Sequence, residues 1–288
     1  MSTTFGPTVG VDGPVPSPPR YSLLSVARIN PPNWLQQNQE PDLHYLSGVE
    51  VWPYPDARSG DVHNPCATGT TDEKADQQEL PVPEFGSFAA YETIECSTRS
   101  ISEDYDLWAA RAVAALQATE SYQVEVQFAR GLRLPLTPHL TDSNVTLVDN
   151  TGLSPERALA ALVQSAGRTG SEFVVHADPA TAVALTADVL VEREGTDLRV
   201  IATGSKVVVG DGYVDSRPAG GLAPSATLSW MYATGPVDVH RSGIEVIPGS
   251  AREAMDRTQN FITIRAERYY VVDWDTVLQD AVLVNRAA

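Results

Sequence analysis

Lysine is almost missing from this 288-residue chain: Lys74 and Lys206 are its only two, so nearly all basic side chains are arginines. Cysteine is as scarce, with Cys66 and Cys96 alone. Two thiols are too few for a disulfide scaffold and leave open a single bridge between them. No apolar run approaches the ~20 residues that a membrane-spanning helix needs. The opening residues, MSTTFGPTVG, lack the basic-then-apolar order of a secretory signal, which predicts synthesis in a cytosol. Catalytic motifs are wanting too: there is no G-x-S-x-G elbow, no H-E-x-x-H pair and no P-loop. The five histidines, His44, His63, His139, His176 and His240, are scattered. His176 and Asp178 could form a base and its orienting acid, but no nucleophile is tied to them by a recognisable turn. A structural His176 and an Asp178 that caps the next helix are the simpler reading. We therefore expect no catalytic, cofactor-binding or metal-binding residues, and no enzyme.

Acid is what the chain has in excess. Thirty-seven Asp and Glu against 20 Lys and Arg, 37 to 20, give a formal charge of -17. Such a surface repels nucleic-acid phosphates at long range, which excludes tight or sequence-reading nucleic-acid binding but lets the protein stand beside nucleic acid without gripping it. Hydrophobic residues make up 42% of the chain, enough to fill the core of one large domain or two small ones.

The longest uninterrupted pattern lies at residues 102–131. Tyr105, Trp108, Ala112, Ala115, Leu116, Tyr122 and Val126 recur at helical spacing, and neither proline nor glycine intervenes before Gly131, which suits a left-handed C-terminal cap. Ser100 and Glu103 have capping-box spacing. At ~1.5 Å per residue this would be a spine of about 45 Å. Val124, Val126 and Phe128 alternate with period two, so its last turns read equally as strand. Before it, residues 1–42 read as an arm, because Pro7, Pro14, Pro16, Pro18, Pro19, Pro31, Pro32 and Pro41 interrupt any ladder. Only Tyr21 to Ile29 has apolar density worth burying. Residues 43–98 read as an extended excursion: strand-like pieces at Gly48–Trp52 and Phe88–Ile94 flank a polar stretch longer than the ~12–15 residues usual for an unstructured loop. Both segments are expected to settle against neighbouring copies. His63 and Cys66 have an H-x-x-C spacing that could begin a zinc site with Cys96 or His44, but no second paired motif completes a tetrahedral set.

Beyond the spine, short helices and strands alternate, giving an α+β chain with helices packed on a sheet. Ser154, Pro155 and Glu156 start a helix to about Ser165, closed by Gly167; Glu172–His176 is a strand; Asp178 and Pro179 start a helix through about Val191. Asp197–Ala202 and Lys206–Val209 read as a hairpin around Thr203, Gly204 and Ser205. The glycine-rich stretch Val207–Ala226 is followed by no helix or P-loop lysine, so it reads as a flexible surface loop rather than a phosphate cradle. Ala226–Thr234, Val237–His240 and Ile244–Ile247 read as antiparallel strands, Asn260–Trp274 as one or two long ones, and Val277–Val284 as a return to that last sheet.

Several phrases carry a family resemblance: PRYSLLS (Pro19–Ser25), YETIECSTRS (Tyr91–Ser100), EFVVHADPATAVAL (Glu172–Leu185), ATGSKVVVGDGY (Ala202–Tyr213), MYATGPVDVH (Met231–His240) and AERYYVVDWD (Ala266–Asp275). With the order arm, excursion, spine and mixed α/β region, the chain resembles the major capsid proteins of tailed bacteriophages, of the actinobacterial phage type, whose fold is shared with encapsulins. The resemblance implies an N-terminal arm at 1–42, an extended loop at 43–98, a peripheral domain at 99–169 with 251–288, and an axial domain at 170–250 with the Ser216–Ser225 loop near a capsomer centre. It implies a virion protein whose pentamers and hexamers tile an icosahedral shell, assembled in a host cytoplasm, with scaffold, portal or decoration proteins as further partners, no membrane, and packaged DNA as a non-specific neighbour. Lysine-to-asparagine cross-linking, used by some members, is doubtful with two lysines, Lys74 being its best-placed participant. With no long removable segment ahead of the arm, a separate scaffold or none is expected. A tail-tube or head-tail joining protein is the alternative.

Overall fold

The computed structural model describes residues 17, 19–30, 48–51, 82–97, 105–131, 138–256 and 261–288. In chain order, a short turn of helix α1 (Leu23–Val26) leads into β1 (Arg28–Asn30), the small pair β2 (Val49–Glu50) and β3 (Glu84–Phe85), and the long strand β4 (Phe88–Ser97). The spine follows as α2 (Tyr105–Arg130), then β5 (Thr146–Leu153), α3 (Pro155–Gly167), β6 (Val174–Ala177) and α4 (Pro179–Ala187). Strands β7 (Val191–Glu194), β8 (Asp197–Val200) and β9 (Lys206–Val209) precede a 3-10 turn at Asp211–Tyr213. After it come β10 (Leu228–Thr234), β11 (Val237–Arg241), β12 (Glu245–Ile247), α5 (Ala251–Ala254), β13 (Met255–Asp256), β14 (Phe261–Trp274) and β15 (Gln279–Asn285).

Two sheets organise these elements. The first is built on β14, a single strand of 14 residues. Along one edge it pairs with β4, from Phe261↔Ser97 to Tyr270↔Phe88; along the other it carries β11, β12 and β13 in succession, and β1 extends this sheet by pairing parallel to β11. The segments expected to form antiparallel neighbours are thus split: β11 and β12 run the same way along one edge of β14, and β10 belongs to the other sheet. That second, seven-stranded sheet has the order β5-β15-β10-β6-β9-β8-β7. The last apolar run therefore returns not to the sheet of β14 but to β10 and β5, because β15 is buried along both faces and needs cover on each.

Alternation along β10 shows how this sheet is covered. Met231 and Ala233 face a core shared with Ala158, Leu159 and Leu162 of α3 and Leu185 of α4. Trp230 and Tyr232 face the opposite way, into a core with Leu116, Val124 and Phe128 of the spine and Ile264 and Tyr270 of β14. The spine therefore packs between the two sheets.

Several local expectations hold and others need correction. The spine is helical through Arg130 and ends at Gly131, whose φ of 58° is the left-handed cap. Its period-two stretch is not strand: Gln123 to Ala129 are buried without a break, so the alternation of valine and phenylalanine there marks no single buried face. The helix from Pro179 stops at Ala187 rather than near Val191: Val189 turns left-handed at φ 56° and Val191 opens β7. Ser154 precedes α3 without a side-chain capping bond, whereas Asp178 accepts from the Ala180 and Thr181 amides. Tyr21 to Ile29, the one apolar part of the arm, lies on its own chain, with Leu23 fully buried. The capping box at Ser100 and Glu103 lies outside the described residues.

Candidate functional site

The second half of the spine combines total burial with a polar sequence. From Glu120 to Ala129 only Tyr122 reaches solvent, yet Glu120, Ser121, Gln123, Glu125 and Gln127 all lie in that stretch. Buried polar groups are costly unless satisfied, and here Glu120, Gln123 and Glu125 each anchor a different part of the chain. Gln123 Nε2 donates to the Tyr91 carbonyl at 3.1 Å and its Oε1 accepts the Tyr91 amide at 3.2 Å, occupying the outer backbone groups of β4 as a neighbouring strand would. Glu120 accepts from Arg268 at 3.1 Å and from the Tyr270 hydroxyl at 2.5 Å, tying the spine to β14.

Glu125 holds the arm. Its Oε1 accepts the Leu23 amide at 3.0 Å, at the first residue of α1, while the Gly212 amide and the Ser121 hydroxyl, the latter at 3.5 Å, also donate to the carboxylate. Burial, with the nearby charge of Asp211, pushes its pKa up to about 7. The glycines of the 3-10 turn are explained by this contact. A Cβ on Gly210 would meet the Glu125 carboxylate at 2.1 Å, and one on Gly212 would meet Glu125 Cβ at 2.3 Å. The stretch Val207–Ala226 is accordingly surface loop only in part: Val207–Val209 belong to β9, Tyr213 and Ser216 are buried and Trp230 lies against Gly221, while most of residues 214–226 are exposed. Sequence reasoning passed over Glu125; two glycines around Asp211, following a buried strand, were the available signal.

His176 is fully buried between the Tyr213 hydroxyl, 3.1 Å from Nδ1, and Thr234 Oγ1, 2.9 Å from Nε2, and burial lowers its pKa to about 3. Those partners leave it as a core crosslink. Asp178 caps α4, accepts Thr181 Oγ1 at 2.8 Å and lies 3.4 Å from Arg286, so the two residues serve separate structural roles. Arg28 of β1 bonds Asp238 through Nε at 2.8 Å, which raises its pKa further, and fixes the parallel register of β1 on β11. His44, His63, Cys66 and Lys74 lie outside the described residues, as does the side chain of Cys96; Lys206 sits 3.5 Å from Asp197. Among the described residues no three His, Cys, Asp or Glu side chains are grouped to hold a metal, and no helix is long and apolar enough to cross a membrane.

No family model matches the chain, and no curated protein matches it. Solved structures do. A capsid chain of a native GTA particle is similar at a TM-score of 0.56 and 12% identity, covering 98% of this chain and 96% of that one. The SrpI encapsulin of Synechococcus elongatus is similar at 0.55 and 11% identity, over 97% of this chain and 94% of that one. A chain of Gordonia phage Cozz is similar at 0.54 and 12% identity, over 97% and 91%. At such identities the shared property is the fold alone: the chain has the fold of this capsid chain, this phage chain and this encapsulin.

Proposed function

We propose that this chain is the major capsid protein of a tailed bacteriophage, self-assembling into the icosahedral head shell that encloses the phage DNA. It acts as a structural virion protein, not an enzyme, and assembles in the host cytoplasm. The observation that carries this reading is the match in fold, over nearly the whole length of both chains, to a capsid chain and to an encapsulin. The formal charge of -17 supports it, because a shell lining must not hold packaged DNA by its phosphates.

In this reading residues 99–169 with 251–288 make the peripheral domain and 170–250 the axial domain, with pentamers and hexamers closing around the latter. Pro19–Asn30 docks on its own body and Phe88–Ser97 pairs with β14 of the same chain, so contact between copies falls to the rest of the 1–42 arm and to the earlier part of the 43–98 loop. These must together bury the ~1,200–2,000 Å² of a stable interface. Scaffold, portal and decoration proteins are the further partners of such a shell.

Electron microscopy of the purified recombinant protein tests the proposal. Closed shells are expected. Rings or tubes would indicate a head-tail joining or tail-tube protein instead, and discrete monomers or dimers would overturn the shell reading.

A further inference from the structure

Glu125 stands out because nothing about packing requires an acid there. It is 2% exposed, it sits where the spine, the arm turn and the Asp211–Tyr213 turn meet, and among the described residues no cation pairs with it. A neutral glutamine would also offer an oxygen to the Leu23 amide, so the acceptor is required there but its charge is not. We propose that Glu125 is a proton-operated latch on residues 19–30: it holds the arm when protonated and loosens it when ionised.

The geometry sets the direction. Docking brings Leu23, fully buried, onto the carboxylate and shuts it from water; undocking lets water return. Removing water disfavours the charged form, in keeping with the pKa of about 7 in the docked protein, whereas opening the arm's side lowers it toward the ordinary carboxylate range of about 4.3, with the Asp211–Tyr213 turn still in place. Docking is thus linked to proton uptake and is tightest in acid. It weakens as pH rises from the ordinary range through about 7, by up to about tenfold per unit of the difference.

The surrounding charges do not reverse this. Asp211, on the turn, adds to the rise. Tyr213 is engaged with His176, which is held neutral. On β14, Arg268 is committed to Glu120. On the arm, Arg20 donates to the Gly195 carbonyl and Arg28 to Asp238, while Lys206 of β9 lies by Asp197. What opens is specific: β1 leaves β11, whose far edge from Asp238 to His240 then presents unpaired backbone groups. The latch is a property of the single chain and does not depend on the shell reading.

Hydrogen exchange of the Leu23–Ala27 amides in the full-length protein, corrected for intrinsic rates, reads the latch at pH 5.5 and 8.5. Protection in the wild type is expected to fall by roughly tenfold or more on going to pH 8.5. Glu125→Gln, which stays neutral, should keep its protection at both pH values, and Asp211→Asn should move the wild-type midpoint to lower pH. Protection that is unchanged or higher at pH 8.5, or a fall of equal size in Glu125→Gln, would overturn the proposal.

Discussion

The hydroxyl of Tyr270 donates to the carboxylate of Glu120 across 2.5 Å, joining the middle of the spine to the longest strand of the first sheet. Burial first, and then the charge of Glu120, push the Tyr270 pKa up, so the phenol stays a donor at every working pH. Tyr270→Phe removes a bond to a charged, buried acceptor that keeps only Arg268. It is expected to cost about 1.5–3 kcal/mol, read as a lower urea midpoint at unchanged slope.

Two glycines separate conformational from steric need. Gly212 has no room for a methyl group, since its Cβ would fall 2.3 Å from Glu125 Cβ and 2.7 Å from the Val126 amide nitrogen. Gly167, at the end of α3, would meet nothing within 4 Å. Gly212→Ala is expected to destabilise by about 1–3 kcal/mol or more, and Gly167→Ala to be neutral or stabilising by about 0.5–1 kcal/mol. Thermal unfolding of the pair checks this.

His176 gives the protein an acid limb. Its folded pKa of about 3 lies below the ordinary 6.5, so between these values the unfolded chain binds the extra proton. Its contribution is complete above about pH 6.5 and is lost as pH falls toward 3, at up to about 1.4 kcal/mol per unit. Glu125 acts in the opposite sense between about 4.5 and 7, which masks part of the slope. The difference between wild type and His176→Gln, measured by denaturant unfolding from pH 7 to 4, isolates the histidine and should shrink steadily with acid.

Arm docking rests on Leu23 more than on Arg28. The leucine is fully buried, while the Arg28 side chain is 74% exposed and its bond to Asp238 is screened. Leu23→Ala is expected to weaken docking by about 2–5 kcal/mol and Arg28→Ala by less than about 1 kcal/mol. Tryptic cleavage after Arg20 should speed up strongly in the first variant and little in the second.

These residues also mark how far the sequence could be read. The spine was legible because 26 residues pass without proline or glycine and a glycine stands where the cap is needed. Tyr21–Ile29 was legible as the only apolar part of the arm, but whose body it covers was not, because apolar density names no partner. Strand partners escaped for a similar reason. The wholly apolar pattern of β15 fits either sheet, and β11, β12 and β13 show no local sign that they follow one another along β14. The polar residues of the spine gave no such sign: Glu120 and Gln123 are covered by β14 and β4 of the first sheet, and Glu125 by the arm and the Asp211–Tyr213 turn, contacts that no local pattern announces.

The central claim is that copies of this chain build a shell, and sedimentation velocity on the purified full-length protein tests it directly. The account predicts a discrete, closed particle of many 31.0 kDa subunits that persists on dilution. A single boundary at the mass of one or two subunits, at every concentration and pH tried, would contradict it.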